Sequence, residues 1–250
     1  MLNSQLLLNY AENFFGYGNP NAPVWFVGLE EAGGRTEQVV ADRLKLWSTQ
    51  FDSRSIVDAY EFHQTLKDYE GKPLIRLFED PVPAQPTWDR LIRIQLAWEG
   101  HTAIRRSDIQ AFRKTEWVRS TSKSCLVELF PLPSPSVADW NYEDWTSIKE
   151  FKTREGYQKA LGDKRALAIK ELIREFRPKV VIFYGSRWKR WSQIAGFRWK
   201  KISDSPVPHA RVHQADGTLY AVVHHPAARG ATDADFDQVG EYLRTLVEAE

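Results

Sequence analysis

Four short runs of apolar residues punctuate the chain, at positions 24–28, 125–130, 180–184 and 219–224. Each is rich in β-branched or aromatic side chains and bounded by proline, glycine or charge. None shows the strict alternation of a half-exposed strand, so each reads as a strand buried on both faces. Between them the apolar period lengthens to that of a helix. Residues 38–47 place Val39, Leu44, Leu46 and Trp47 among charges, and residues 87–98 follow Pro86 with Leu91, Ile92, Ile94 and Leu96. Residues 165–176 carry Leu167, Ile169, Leu172, Ile173 and Phe176 and stop before Pro178; residues 233–247 repeat the pattern with Phe236, Val239, Tyr242, Leu243 and Leu246. Strands alternating with helices predict an α/β fold, a three-layer α/β/α sandwich around a central, mainly parallel four-stranded sheet. Residues 197–202 and 210–213 are expected to form a small hairpin at the sheet edge. The proline-rich stretch 131–135 directly follows a strand and reads as a rigid loop. With no internal repeat and no low-complexity segment, residues 1–250 are expected to form one domain.

The strand ends carry the candidate chemistry. One apolar run stops at Gly28-Leu29-Glu30-Glu31-Ala32-Gly33-Gly34 and another at His224-His225-Pro226-Ala227-Ala228-Arg229-Gly230. In α/β sheets ligands bind at the carboxyl ends of strands. Two adjacent carboxylates repel, so one can keep a raised pKa and orient water as a general base; the plainer reading is helix N-terminal charge beside turn-forming glycines. Strand alternation puts His224 and His225 on opposite sides, so at most one of them enters a cleft and a metal site built from both is disfavoured. Such a histidine can donate to a developing oxyanion, or be satisfied by its own turn. A third stretch, Gly185-Ser186-Arg187-Trp188-Lys189-Arg190-Trp191, combines with Arg198, Lys200 and Lys201 into a basic, aromatic cluster. It suits phosphate contact with stacking, and equally a solvated helix face whose tryptophans turn into the core. No Walker-type loop and no Gly-x-Ser-x-Gly elbow is present.

Composition narrows the classes. The 250 residues carry a net charge of +1, so any surface for nucleic acid must be local. Cys125 is the single cysteine, which rules out an intramolecular disulfide, a cysteine-based zinc site and a four-cysteine cluster; within an apolar run it reads as a small buried hydrophobe. No apolar run is long enough to span a bilayer and the first residues have no basic leader, so a soluble cytoplasmic protein with no membrane partner is expected. The ten tryptophans read mostly as packing.

Taken together these segments resemble the uracil-DNA glycosylase superfamily. Gly28-Leu29-Glu30 falls on the family's first motif, after the first strand, and His225-Pro226-Ala227-Ala228-Arg229 on its second, after the last. Val127-Glu128-Leu129-Phe130-Pro131 is similar to the central strand, and Val181-Ile182-Phe183-Tyr184-Gly185-Ser186 to the third strand and its glycine turn. The resemblance covers most of the chain in the right order, through short, degenerate motifs. It implies extrusion of a base from DNA and hydrolysis of its N-glycosidic bond, with no metal and no cofactor. Glu30 would stabilise the oxocarbenium-like sugar and direct water, with Glu31 in reserve because two alignments are open, and His225 would stabilise the departing base. Gly28, Leu29, Glu128 and Phe130 would contact the base. Arg229 would fill the vacated stack, and Arg187, Lys189 and Arg190 would grip phosphates, in a protein expected to be monomeric. The departures matter. The first-motif proline is missing, Ala227 and Ala228 stand for serine and proline, and Glu128 stands where an asparagine usually reads the base. A carboxylate accepts from an exocyclic amine, which points to a cytosine-derived, modified base, such as glucosylated hydroxymethylcytosine of phage DNA, ahead of plain uracil. Ordinary uracil excision in repair, and a non-catalytic nucleic-acid-binding module of the same fold, are the alternatives.

Overall fold

A computed structural model describes residues 1–136, 138–199, 207 and 210–249. The strands are β1 (Gly16–Gly18), β2 (Val24–Ala32), β3 (Ile56–Val57), β4 (Ser124–Ser134), β5 (Val180–Tyr184), β6 (Arg211–Ala215) and β7 (Thr218–Val223). The helices are α1 (Ser4–Asn13), α2 (Glu37–Gln50), α3 (Ala59–His63), α4 (Pro86–Trp98), α5 (Arg106–Thr115), α6 (Tyr142–Trp145), α7 (Arg154–Phe176), α8 (Trp188–Ala195) and α9 (Asp233–Glu248).

The strands form one mixed sheet in the order β3-β1-β4-β2-β5-β7-β6. The four expected runs lie in its middle and pair in parallel, β4 with β2, β2 with β5 and β5 with β7. The expectation of four strands is therefore corrected to seven among the described residues. β1 runs antiparallel to β4 and β6 antiparallel to β7, while β3 pairs parallel with β1. β1, with two glycines in three residues, and the two-residue β3 are too short to show a period. Every residue of β4, β5 and β7 is buried, as are Val24 to Gly28, so helices cover both faces of the sheet. One hydrophobic cluster runs from Leu2 to Leu243. The edge hairpin is built differently from expectation: β6 takes in residues 211–213, but its partner is β7. Of the other expected arm, residues 200–202, with Lys200 and Lys201, lie outside the described residues. Among the described residues no helix is long and apolar enough to cross a membrane.

Two boundaries differ from the sequence reading in ways that shape the site. β2 does not end at Gly28 but continues through Glu30 and Glu31 to Ala32, so the glutamates are strand residues and the loop starts at Gly33. β4 likewise runs through Pro131 and Pro133. Its ladder with β2 is regular to the pair Glu30–Phe130 and then shifts to Ala32–Ser134. The prolines sit in that irregular stretch, where a missing N–H breaks no regular ladder bond.

Candidate active site

At the carboxyl ends of β2, β4 and β5 lies a cavity of about 390 Å³ lined by Glu30, Glu31, Glu128, Tyr184 and His225. Gly28 explains how three strands can supply it. Glu128 pairs with Gly28 in register, and Tyr184 ends β5 on the other side of β2. A Cβ built at Gly28 would collide with both the Tyr184 hydroxyl and Glu128 Oε2, so only glycine lets the two side chains meet over the strand between them. There the Tyr184 hydroxyl donates to Glu128 Oε1 at 2.5 Å. Glu128 is 6% exposed, and its Oε2 is buried with no hydrogen-bond partner. Burial chiefly, reinforced by the charges of Glu31 and Glu30, pushes its pKa up to about 8 against the Tyr184 hydrogen bond. Burial thus favours the protonated acid near neutral pH, in place of the free carboxylate expected from sequence.

Glu31 is fixed by residues that no motif announced. Arg43 of α2 approaches its Oε1 at 2.8 Å, Tyr17 of β1 donates to the same oxygen at 3.0 Å, and Arg43 donates to the Tyr17 hydroxyl at 2.6 Å. Burial raises the Glu31 pKa, opposed by Arg43 and Tyr17, and its Oε2 is buried and unpartnered. Glu30 pairs with Arg154 at the start of α7 through Oε2, while its Oε1 is buried without a partner. Arg154 also donates to Ser134 Oγ at 2.6 Å and to the carbonyls of Ser136 and Asp139, tying Glu30 to the end of β4. Burial pushes the Glu30 pKa up to about 7, with Arg154 and then Arg187 holding it down. Each of the three carboxyl groups therefore presents one buried oxygen to which the protein supplies no donor, a pattern suited to contact with a ligand or water.

His225 stands at the exposed rim. Its Nδ1 accepts from the Ala227 backbone N–H at 3.1 Å, which leaves Nε2 as the N–H of a neutral ring. Desolvation lowers its pKa, favouring the same neutral form. The ring meets Tyr184 edge to face at 5.7 Å. Its loop is strapped to α4, because Arg90 donates to the Pro226 carbonyl, to the Ala231 carbonyl at 2.8 Å and to Asp233 at 3.2 Å. His224 does not line the cavity. The far wall comes from the segment between α3 and α4, with Tyr69 and Leu77 and the polar side chains of Asp68, Arg76 and Gln85, and from the first turn of α4, with Thr87 and Trp88.

Leu29 and Phe130 are elsewhere. They line a second pocket with Arg187, Lys189 and Arg190, separate from the carboxyl cavity. Before the register shift at Glu30, neighbouring residues of β2 point to opposite faces, which parts Leu29 from Gly28 and its overlying Glu128. Arg190 is engaged: it pairs with Asp163 at 2.6 Å and packs against Gly162 of α7, where a Cβ would displace it. Arg229 is exposed in the turn after His225. The tryptophans of the basic stretch divide, Trp191 being buried against Phe183 and Trp188 exposed. The residues that sequence reasoning missed, Arg43, Arg90, Arg154, Tyr17 and Tyr184, are single polar positions in otherwise ordinary elements. Only Tyr184, a polar terminus on an apolar strand, carried a signal. Among the described residues no group of His, Cys, Asp and Glu is arranged to hold a metal ion. No protein-family model matches the chain, and no curated protein matches it either.

Proposed function

We propose that the chain is a monofunctional DNA glycosylase of the uracil-DNA glycosylase type, which draws a base into the carboxyl cavity and hydrolyses its N-glycosidic bond. The observation that carries this reading is the convergence, in one cavity, of three carboxyl groups with unpartnered buried oxygens and a neutral histidine presenting Nε2–H.

In the reaction the C1′–N bond breaks and its electron pair leaves with the base. Nε2–H of His225 donates to the oxygen on which that charge collects, and ionised Glu30 opposes the positive charge on the sugar while its Oε1 accepts from the attacking water. Water adds to C1′, its proton passing to Glu30, and the released base is protonated from solvent. Glu31, held by Arg43 and Tyr17, supports the cavity wall.

The favoured substrate is a modified, cytosine-derived base, such as glucosylated hydroxymethylcytosine in phage DNA. Protonated Glu128 donates from Oε2, and cytosine N3 is an acceptor where uracil carries N3–H. The far wall, with Asp68, Arg76, Gln85 and Thr87, offers polar groups suited to a hydroxyl-rich substituent. Mass spectrometry of bases released from DNAs of different modification tests the reading, with Glu30→Gln and His225→Ala as controls. Release by the wild type that both variants lose supports it. No release from any DNA that the protein binds would leave a nucleic-acid-binding module, and release of uracil alone would overturn the substrate assignment.

A further inference from the structure

The second pocket, about 400 Å³, meets the end of β2 as the carboxyl cavity does, Leu29 lining the one and Glu30 the other. Its floor is apolar, from Leu29 and the buried ring of Phe130, and Trp188 stands at its margin, 36% exposed. A large indole in water at the edge of a cavity is an unusual expense for a chain whose other tryptophans mainly serve the core. Trp188 is also held in place: the guanidinium of Arg211, from β6, lies 4.2 Å from the centre of its ring. Arg187 and Lys189 line the same pocket, and neither has an ion pair or side-chain hydrogen bond among the described residues, in contrast to Arg190 beside them. Apolar floor, fixed aromatic wall and two cations without a close salt bridge, with only longer-range attraction to Glu30 and Asp163, together form the chemistry that receives a base with its phosphates.

We propose that this pocket is a second nucleobase subsite, in which Trp188 stacks on a base neighbouring the one drawn into the carboxyl cavity while Arg187 and Lys189 contact the intervening phosphates. The inference rests on the nucleic-acid reading above but not on turnover. It gives the protein a requirement beyond the excised base: one flanking nucleotide must leave its own stack. Single-stranded or locally open DNA is therefore preferred to intact duplex. Arg211 acts as a positioning residue, because it touches the indole and not the base.

Fluorescence anisotropy with a short labelled single-stranded DNA tests this without reference to catalysis. Trp188→Ala is expected to weaken binding about 10-fold, and Trp188→Phe, which keeps a stacking face, less than about 3-fold. Lys189→Ala should weaken binding and lower the slope of log affinity against log salt by roughly 0.7. An abasic residue placed in turn along the oligonucleotide should, at one position beside the bound base, weaken the wild type as much as Trp188→Ala does, and weaken that variant no further. Unchanged binding by Trp188→Ala, or equal losses in both proteins at every abasic position, would overturn the proposal. The two readings fail separately: Trp188-dependent binding without base release removes only the glycosylase, and base release with Trp188-independent binding removes only the subsite.

Discussion

Tyr184 and Glu128 meet over the α-carbon of Gly28, hydroxyl to carboxyl at 2.5 Å, and the shared strand between them is what brings a buried acid to the floor of the cavity. The tyrosine satisfies Oε1 and leaves Oε2 to a ligand. Without a ligand this arrangement costs stability, and the cost depends on pH.

Glu128→Gln should stabilise the ligand-free protein at alkaline pH. Burial pushes the wild-type carboxyl up to about 8 in the folded state from the ordinary 4.5 of the unfolded chain, so the folded state holds the extra proton between those limits. Stability therefore falls as pH rises through that window, and the loss is complete above the folded pKa. The amide cannot ionise and still accepts from Tyr184. A gain of roughly 2–4 kcal/mol above pH 8, shrinking to near zero below pH 5, is expected from urea denaturation at several pH values. A variant equally stabilised at all pH would show that charge is not the cause.

Base release should rise with pH through about 7, because Glu30 acts ionised and burial holds its pKa there. Arg154 pulls that pKa down, so Arg154→Met should move the acid limb of the single-turnover pH profile to higher pH. Glu30→Gln should reduce the rate by about 10²- to 10⁴-fold and abolish the limb. A limb that stays in place in Arg154→Met would assign the titration to another group.

The strap on the histidine loop can be cut away from the chemistry. Arg90→Met removes donors to the Pro226 and Ala231 carbonyls and to Asp233, freeing the backbone that carries His225. The release rate should drop about 10- to 100-fold through misplacement alone, for a stability loss of about 1–2 kcal/mol. Comparing the rate with the denaturation midpoint separates the two effects; a rate that merely follows the folded fraction would deny the positioning role.

Arg165 on α7 tests the frame beneath the site. Fully buried, it donates to the carbonyls of Ala11, Glu12, Phe14, Glu128 and Leu129, joining the end of α1 to β4 just where Glu128 emerges. Lysine keeps the charge but has three donors on a single nitrogen and cannot span those carbonyls. Arg165→Lys should lower stability by about 3 kcal/mol or more, read from denaturation. A loss under about 1 kcal/mol would show that water or relaxation takes over its role.

The extent to which the sequence foreshadowed this arrangement follows from how far local pattern reaches. The four central strands declared themselves because burial on both faces demands unbroken apolar runs. Their extensions did not, since Glu30 and Glu31 in β2, and Pro131 and Pro133 in β4, are residues that ordinarily end strands; here a register shift and cations from distant helices accommodate them. The first half of α7 was equally silent, because Gly156 and Gly162 interrupt its pattern and its buried Arg165 reads as surface. Glu30, Glu31, Glu128 and His225 stood out by type and by their place at strand ends. Their sharing a cavity, and the exclusion of Leu29 and Phe130 from it, depended on side-chain direction along β2 and on a glycine whose meaning lay in its neighbours.

The two rims of the sheet have a consequence for behaviour at high concentration. A long, flat apolar strand at a margin is a template for another chain, and aggregation commonly starts there. Here one margin, β3, is two residues long, and the other, β6, carries Arg211, His213 and Gln214 along its length. The runs most prone to self-association, in β4 and β5, lie inside with partners on both sides. Fibre growth by strand addition thus requires the middle of the sheet to open first, which confines the hazard to the interval before folding is complete.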